Sequence, residues 1–286
     1  MSKAQLRQTL LAICLITAPF TLLAQRQYHA ADSLLVMQLI TEGSRLSAGH
    51  NVFLWMMKQF IGRPYVAHTL DRNKEEKLVV NLREVDCTTV VEYALAAALC
   101  VKRQTLSFQD FCRYLQDVRY QGGKIDYAYR QHYFTLWIDD NTQDGFVREV
   151  PLPPAPFSAI QRLDIHYMTT HVPSYAMLKG RSDRIASIRK MEKNLTGRKC
   201  PYIPKAHLAE TQRMRELVKD GDIIVIVTKK RGLDTSHLGV ALWQNGELHL
   251  LNASQIHRKV VVEPLTLYQY MHKHPSQTGI RIVRVM

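Results

Sequence analysis

One segment constrains the fold more than any other: residues 85–96, which read Val-Asp-Cys-Thr-Thr-Val-Val-Glu-Tyr-Ala-Leu-Ala. Its alanine and leucine residues favour a helix, and Asp86 is suited to cap the first turn by accepting a hydrogen bond from a free backbone N–H. Cys87 then stands at the helix N-terminus, where unpaired N–H groups and the helix dipole lower the pKa of a thiol. An isolated cysteine on an apolar helix is more often a buried structural residue. The segment therefore predicts a helix that ends near Val101, and a nucleophile only if a base lies elsewhere.

The carboxyl-terminal part of the chain predicts a mainly antiparallel sheet. Residues 223–228 are a run of isoleucine and valine closed by threonine, which is typical of a buried strand. Further strands are predicted at residues 237–243, 248–254, 259–262 and 280–285, with a short helix near residues 266–272. Asn245-Gly246 joins two of these strands, and Asn-Gly is a strong hairpin signal.

The hairpin turn also predicts which side chains share a face of the sheet. A two-residue loop at the turn sets the cross-strand pairs Gln244–Glu247, Leu242–His249, Gly239–Asn252 and His237–Ser254. His237 and Asn252 are then diagonal neighbours on one face, whereas His249 points to the other face. A slip of one residue would reverse this assignment. The register therefore predicts that the amide of Asn252 holds the imidazole of His237.

Cys87, His237 and Asn252 are the three groups that a thiol hydrolase needs: a nucleophile, a base, and a group that fixes the tautomer of the base. The backbone N–H of Cys87 is the candidate donor for an oxyanion hole. Each residue alone is a weak signal, because a strand histidine is usually structural and an asparagine before Ala-Ser often only turns the chain. In this order, on a helix followed by a sheet, they predict a cysteine-dependent enzyme.

An aromatic segment, residues 120–146, separates the helix from the sheet. It includes Tyr133 and Trp137 beside arginine and carboxylate side chains, which suits a substrate-binding wall for a sugar or a peptide. Irregular core packing is the alternative, and we weigh the two equally. Residues 151–156, Pro-Leu-Pro-Pro-Ala-Pro, predict a rigid connector between two lobes. We expect residues 25–286 to form a single catalytic domain with an insertion at about residues 120–200.

The amino terminus predicts a periplasmic or secreted protein. Lys3 and Arg7 precede an apolar run at residues 10–23, as in a signal peptide, and we place the end of that peptide at residue 24. Leu22 is large for an Ala-x-Ala site, so cleavage near Ala30 or Ala31 is the alternative. Ile13 stands before Cys14 where a lipid anchor needs a small residue, so no anchor is expected. No later stretch is apolar for long enough to span a bilayer. Residues 31–60 predict two helices, the first of the mature chain.

The chain is strongly basic, with a formal net charge of +13 and a pI near 9.6. This charge favours contact with anionic surfaces. No zinc-finger spacing, phosphate-binding glycine loop or dense Lys/Arg run points to nucleic acid. A solvated basic surface is the first interpretation, and an acidic polymer substrate is the second. Five cysteines in 286 residues do not make a disulfide scaffold, and the pairing of Cys100, Cys112 and Cys200 is left open.

Several short motifs resemble those of the NlpC-type cysteine peptidases of bacterial cell walls. They are Asp86-Cys87-Thr88-Thr89, Gly221-Asp222-Ile223-Ile224, Ser236-His237-Leu238-Gly239-Val240 and Leu251-Asn252-Ala253-Ser254. Residues 60–65, Phe-Ile-Gly-Arg-Pro-Tyr, are similar to the segment that precedes the nucleophile in that family. The resemblance is to its N-acetylmuramoyl-L-alanine amidase-like branch, which carries a long aromatic insertion, and it extends from about residue 61 to the carboxyl end.

The resemblance implies a papain-like α+β fold and hydrolysis of amide bonds in peptidoglycan. It assigns roles to six positions: Cys87 as nucleophile, His237 as base, Asn252 as the polar third member, and Tyr65, Asp86 and Ser236 as residues that line or flank the site. Two departures stand out. Thr88-Thr89 replaces the usual Ser-Gly, and asparagine stands at the third position where many relatives have histidine; asparagine can still orient an imidazole.

The sequence hypothesis is a cell-wall hydrolase that cleaves the bond between N-acetylmuramic acid and L-alanine in peptidoglycan or muropeptides. The alternatives are a γ-D-glutamyl–diamino acid endopeptidase, a non-catalytic glycan-binding protein and a thiol acyltransferase. No cofactor is expected, and no metal, because the sequence has no HExxH motif and no cysteine pair at zinc spacing. Neither a nucleic-acid partner nor stable membrane insertion is expected after signal removal. The oligomeric state is left open.

Overall fold

The structure, a computed structural model, describes residues 25–286, and the predicted signal peptide lies outside them. Its helices are α1 (Ala30–Gly43), α2 (Val52–Lys58), α3 (Cys87–Lys102), α4 (Phe108–Arg119), α5 (Phe134–Gln143), α6 (Tyr167–Thr170), α7 (Ser182–Leu195), α8 (Thr211–Leu217) and α9 (Leu267–His272). The two helices predicted at residues 31–60 are α1 and α2. Between residues 25 and 286, no helix is both long and apolar enough to cross a membrane.

The strands form one eight-stranded sheet and a separate pair. They are β1 (Arg26–Tyr28), β2 (Leu78–Val80), β3 (Val147–Glu149), β4 (Ala159–Arg162), β5 (Lys199–Pro204), β6 (Ile223–Thr228), β7 (Thr235–Gln244), β8 (Glu247–Ser254), β9 (Lys259–Val262) and β10 (Gln277–Val285). The large sheet has the order β4-β5-β10-β6-β7-β8-β9, and β3 pairs with the end of β10. Every pair in it is antiparallel, whereas β1 and β2 are parallel. The predicted mixture of helices with an antiparallel sheet is therefore confirmed.

The central strand β6 explains why the sheet is covered on both faces. All six of its residues are buried, and alternate side chains enter different cores. Ile223 and Val225 pack into the core that contains α3, whereas Ile224 and Ile226 pack into a second core with α8 and α9. A strand that is buried on both faces reads as a continuous apolar run, as this one does.

Helix α3 lies at the centre of the larger core and fixes the position of Cys87. It is buried on nearly all sides, from Thr89 to Cys100. A helix that is apolar all round is a core helix, and alanines such as Ala94, Ala96 and Ala98 allow its neighbours to approach closely. Because α3 packs against α2, α4 and the sheet, its first residue, Cys87, is held beside β7.

The predicted insertion is part of the same framework. It supplies α5, α6 and α7, and its strands β3, β4 and β5 pair within the large sheet. The proline-rich connector at residues 151–156 runs between β3 and β4, and both of these strands belong to that sheet. The prediction that the connector separates two lobes is therefore wrong, because the sheet is continuous across it.

Candidate active site

The first turn of α3 is held by the predicted cap. The Oδ1 atom of Asp86 accepts hydrogen bonds from the backbone N–H of Thr88 at 3.1 Å and of Thr89 at 2.8 Å. In return, the backbone N–H of Asp86 donates to the Thr89 hydroxyl at 2.9 Å. The cap thus uses the second and third N–H groups of the helix, and it leaves the N–H of Cys87 outside this network.

The imidazole of His237 is held by Asn252, as the register predicts. His237 Nε2 lies 3.0 Å from Asn252 Oδ1. The amide group of Asn252 is itself oriented, because its Nδ2 donates to the carbonyl of Leu250 at 3.2 Å. With Oδ1 as an acceptor, Nε2 of His237 carries the proton and Nδ1 keeps a free lone pair. The neutral imidazole is therefore set up to accept a proton at Nδ1.

The hairpin that brings these residues together has the predicted register from Gln244–Glu247 to Val240–Leu251, and the predicted pairs Gly239–Asn252 and His237–Ser254 lie beyond its ladder. Gln244 pairs with Glu247 and Leu242 with His249. Asn245 and Gly246 form the turn with φ values of 49° and 90°, the left-handed conformation that such a turn requires.

Gly239 supplies space for the Asn252 side chain. A Cβ atom at Gly239 would lie 2.8 Å from the Cβ of Asn252 and 2.8 Å from Cγ of Leu250. These contacts are shorter than van der Waals distances, so a larger residue here would push Asn252 from its place beside the imidazole.

A β-bulge precedes His237. Ile226 pairs with His237 but Val227 pairs with Thr235, so Ser236 is the extra residue between them. Bulges re-aim neighbouring side chains and are common beside active sites. Ser236 is exposed, and it lines the same cavity as His237.

Two adjoining cavities meet at Cys87. The first, of about 170 Å³, is lined by Cys87, Ser236 and His237. The second, of about 320 Å³, is lined by Tyr65, Asp86 and Cys87. The structure thus brings together the six residues to which the resemblance assigns roles. Five of them line these two cavities, and the sixth, Asn252, is hydrogen-bonded to His237. We refer to these as the imidazole cavity and the tyrosine cavity.

The surroundings of Cys87 oppose the lowering of the thiol pKa that a helix N-terminus favours. Burial, and secondly the Asp86 carboxylate, raise the pKa of Cys87 to about 12. Hydrogen bonding from Thr88 and from the backbone of Leu238 favours the thiolate, but these effects are smaller. Burial also lowers the pKa of His237, and the hydrogen bond that His237 donates to Asn252 opposes this effect. Burial thus favours the neutral form of both the thiol and the imidazole.

Tyr133 and Trp137 do not form the predicted substrate wall. Trp137 is 0% exposed and stacks on Phe134, with ring centroids 4.6 Å apart. Tyr133 borders the imidazole cavity but is only 2% exposed, and its hydroxyl donates to Glu192 Oε1 at 2.7 Å. The equally weighted alternative, core packing, describes both residues, because their aromatic rings have no free surface for a ligand.

The cleft has a second wall that sequence reasoning did not assign. Arg130, Gln131 and His132 line the tyrosine cavity opposite residues 67–71. Arg130 forms an ion pair with Asp71 and a second one with Glu76 at 3.5 Å, which ties the two walls together. The aromatic and charged composition of residues 127–134 was the available signal, but nothing in the sequence connects it to Asp71.

His132 and Gln131 have structural partners. His132 Nε2 donates to the carbonyl of Tyr127 at 2.7 Å, and burial with the nearby Arg130 lowers the pKa of His132 to about 3. The amide of Gln131 donates to Asp140 Oδ2 at 2.6 Å. His237 lines the imidazole cavity together with Cys87.

The remaining described cysteines are buried free thiols at Cys100, Cys112 and Cys200. Within residues 25–286, no group of three or more His, Cys, Asp or Glu side chains is placed to hold a metal ion.

Comparison with known proteins places this geometry in a family. Residues 56–280 match the family described as N-acetylmuramoyl-L-alanine amidase-like. The chain is 37% identical to an N-acetylmuramoyl-L-alanine amidase from Bacteroides uniformis, over 86% of this chain and 99% of that one, with a TM-score of 0.76. No curated protein matches the chain.

Two further structures are similar. A Bacteroides fragilis protein provisionally named a xylanase is 42% identical, with a TM-score of 0.75 over 81% of this chain and 100% of that one. A Legionella pneumophila protein shares the fold at 23% identity, with a TM-score of 0.69 over 89% of this chain and 94% of that one. The family match spans the residues that build the cleft, from Tyr65 to Asn252. This chain therefore belongs to the N-acetylmuramoyl-L-alanine amidase-like family.

Proposed function

We propose that this protein is a cysteine-dependent amidase that hydrolyses the bond between N-acetylmuramic acid and L-alanine in peptidoglycan or muropeptides. The observation that carries the proposal is the imidazole of His237, which Asn252 orients and which lines the same cavity as Cys87. Membership of the amidase-like family supports the class of substrate and the hydrolysis of an amide bond. The thiol mechanism and the choice of bond are the proposal.

The first chemical step forms an acyl-enzyme. The sulfur of Cys87 attacks the lactyl carbonyl of the muramic acid while Nδ1 of His237 takes the thiol proton. The oxygen of the tetrahedral intermediate accepts a hydrogen bond from the Cys87 backbone N–H, which the Asp86 cap leaves outside its network. As the C–N bond breaks, His237 gives the proton to the amine of L-alanine, which leaves as the free peptide. A thioester between Cys87 and the muramic acid remains.

The second step restores the enzyme. His237 takes a proton from a water molecule, and the oxygen of that water attacks the thioester carbonyl. The C–S bond breaks, and the proton returns from His237 to the sulfur of Cys87. The free muramic carboxylic acid leaves. Asn252 holds the imidazole in one tautomer through both steps, which is the role of the third residue in such enzymes.

Glycoside hydrolysis, which the name of the Bacteroides fragilis protein raises, is not favoured by the cleft of this chain. A glycosidase needs a pair of carboxyl groups free to act as acid and as base or nucleophile. The carboxylates that line the tyrosine cavity are all engaged: Asp71 with Arg130, Asp86 in the helix cap and Glu92 with Arg119 at 2.7 Å. The thiol is the reactive group that the cavity offers.

We further propose that the chain is an NlpC-type, papain-like enzyme that acts outside the cytoplasm. A nucleophile at the N-terminus of a core helix, with its base on an antiparallel sheet, supports this classification. A substrate in the cell wall supports a periplasmic or secreted location, together with the signal peptide that the sequence predicts at residues 1–24. Residues 25–286 would then be a single catalytic domain.

A defined muropeptide digest tests the proposal. Purified protein is incubated with a disaccharide carrying a tetrapeptide, and the products are identified by mass. The proposal predicts free disaccharide and free tetrapeptide, with loss of both products in Cys87→Ala and no loss in a chelator. Release of a dipeptide-bearing disaccharide would instead identify a γ-D-glutamyl endopeptidase. Equal binding without turnover in Cys87→Ala and in the parent would identify a binding protein.

A further inference from the structure

A third cavity adjoins the site on the side of the imidazole. It has a volume of about 280 Å³ and shares Leu233 with the imidazole cavity. Its lining includes four cationic residues and one acidic residue: Arg162, Lys229, Lys230, Arg231 and Asp164. We call this third cavity the basic cavity. The tyrosine, imidazole and basic cavities therefore follow one another along the molecule, and Cys87 lies between the first two.

Three of the four cations of the basic cavity lie on one anchored loop, and Arg162 lies at the end of β4. Residues 229–234 connect β6 to β7, and Asp234 at the end of this loop is 2% exposed. Asp234 Oδ2 accepts a hydrogen bond from the backbone N–H of Thr135 at 2.7 Å, and the Asp234 carbonyl accepts one from Gln161 Nε2 at 2.8 Å. Because β7 begins at the next residue and leads to His237, the loop has a fixed position relative to the imidazole.

Most of the positive charge in this cavity has no partner in the protein. Arg162, Lys229 and Arg231 are exposed, and across residues 25–286 none of the three forms a salt bridge. Lys230 lies over the ring of Tyr167 at 4.7 Å. Asp164 is itself largely exposed and lies 3.5 Å from His166. The cavity is therefore suited to an anion.

One further group favours a peptide over an inorganic anion. Gln161 lines the cavity, and its Oε1 atom is buried without a hydrogen-bond partner among the described residues. A buried acceptor without a partner costs free energy unless a donor reaches it. A peptide supplies N–H donors together with carboxylates, whereas an ionised phosphate supplies almost no donor.

We propose that the basic cavity binds carboxylates of the acidic peptide that leaves from the scissile amide. This inference rests on the proposed function, and it assigns the two sides of the cleft: the peptide extends past Leu233, and the muramic acid side occupies the tyrosine cavity. Anionic groups on the leaving peptide then set which substrates bind well. The charges act on binding of the peptide, so they change KM more than kcat.

Turnover tests this assignment with two substrates and matched variants of the full chain. The substrates are a muramoyl tripeptide with free carboxylates and the same compound with each peptide carboxylate converted to carboxamide. The test variant carries Lys229→Gln and Arg231→Gln, which remove two exposed charges from the basic cavity. The control variant carries Lys58→Gln and Lys193→Gln, which remove the same charge. Lys58 and Lys193 line none of the three cavities. We expect the test pair to raise KM about tenfold for the carboxylate substrate, as for two partly exposed charge contacts, with no change for the carboxamide. Equal KM values in test and control pairs would overturn the assignment.

Binding gives a second readout that does not depend on turnover. Calorimetry measures the affinity of the free tripeptide for Cys87→Ala, with and without the same pairs of substitutions, and Arg162→Gln is an independent variant on β4. We expect about tenfold weaker binding in both test variants, and weaker binding at high salt. If the parent protein shows no hydrolysis, the proposed function fails and this binding result alone decides the inference. Tripeptide affinity that is unchanged by the variants, or a cavity that binds inorganic phosphate but not the peptide, would overturn it.

Discussion

Replacement of Asn252 by alanine removes the group that holds the base. Asn252 is 1% exposed, and its single contact with the imidazole is the 3.0 Å hydrogen bond to Nε2. The loss of one such bond in a buried place costs about 1–3 kcal/mol. If the whole cost appears in the transition state, kcat/KM falls roughly 5- to 150-fold. The hydrogen bond that His237 donates to Asn252 also raises the pKa of His237, so its loss moves the acid limb of the pH profile to lower pH.

The assay separates this effect from a general loss of stability. kcat/KM is measured between pH 4 and pH 9 on a defined muropeptide, and the free energy of unfolding is measured in urea. Asn81→Ala is the matched control, since Asn81 is also a buried asparagine with hydrogen bonds and lines neither cavity at Cys87. The control loses stability and keeps its activity and its pH profile. If Asn252→Ala has the activity and the acid limb of the control, Asn252 does not orient the base.

Three more predictions follow from the same geometry. His237 must be neutral to accept a proton, and its pKa is lowered from 6.5, so kcat/KM falls only as the pH drops below that value. Because the pKa of Cys87 is raised, the rate at which iodoacetamide alkylates Cys87 rises steadily from pH 6 to pH 10. An alkylation rate that is already constant from pH 5 would contradict a neutral thiol. Gly239→Ala displaces Asn252 and lowers kcat with little change in KM. A normal kcat in a folded variant would show that the structure accommodates a Cβ atom at residue 239 without moving Asn252. Trp137→Phe lowers the free energy of unfolding by ~0.5–3 kcal/mol and leaves KM unchanged. A raised KM would instead show that Trp137 belongs to a substrate-binding wall.

Much of the fold could be predicted from local signals. The Asp86 cap and the alanine-rich run placed α3 within one residue of its observed end, Lys102. The isoleucine and valine run gave the bounds of β6, and Asn-Gly gave the hairpin register. These features depend on residues close together in the sequence. The strands β4 and β5 were not predicted, because β5 depends on pairing with β10 far along the chain and β4, which has no buried residue, depends on pairing with β5.

The part of the site that lies on the sheet was predictable, because the alternation of side chains along a strand decides which residues share a face. His237 and Asn252 follow from a two-residue period across one turn, and this period does not depend on the rest of the fold. The second wall of the cleft, with Arg130 and Asp71, depends on two segments that only the tertiary structure brings together. Tyr133 and Trp137 were misplaced because composition alone does not separate a core aromatic from an exposed one.

The pKa of Cys87 is another feature that depends on the folded structure. The helix N-terminus favours a thiolate, but a local pattern gives no measure of how far burial and the Asp86 carboxylate oppose it. In the folded chain burial is the larger effect. The raised pKa of the Cys87 thiol thus comes from packing, which a local sequence pattern does not describe.

The most direct test of the account is the mass of the enzyme during turnover. Acid quenching of the protein with a muropeptide in its first turnovers, followed by intact mass measurement and peptide mapping, reports any acyl group on the chain. We predict a mass gain equal to the muramoyl group on Cys87, absent in Cys87→Ala and strongly reduced in His237→Ala. An adduct on another residue, or release of the peptide by Cys87→Ala at the parental rate, would contradict a thiol nucleophile at this position.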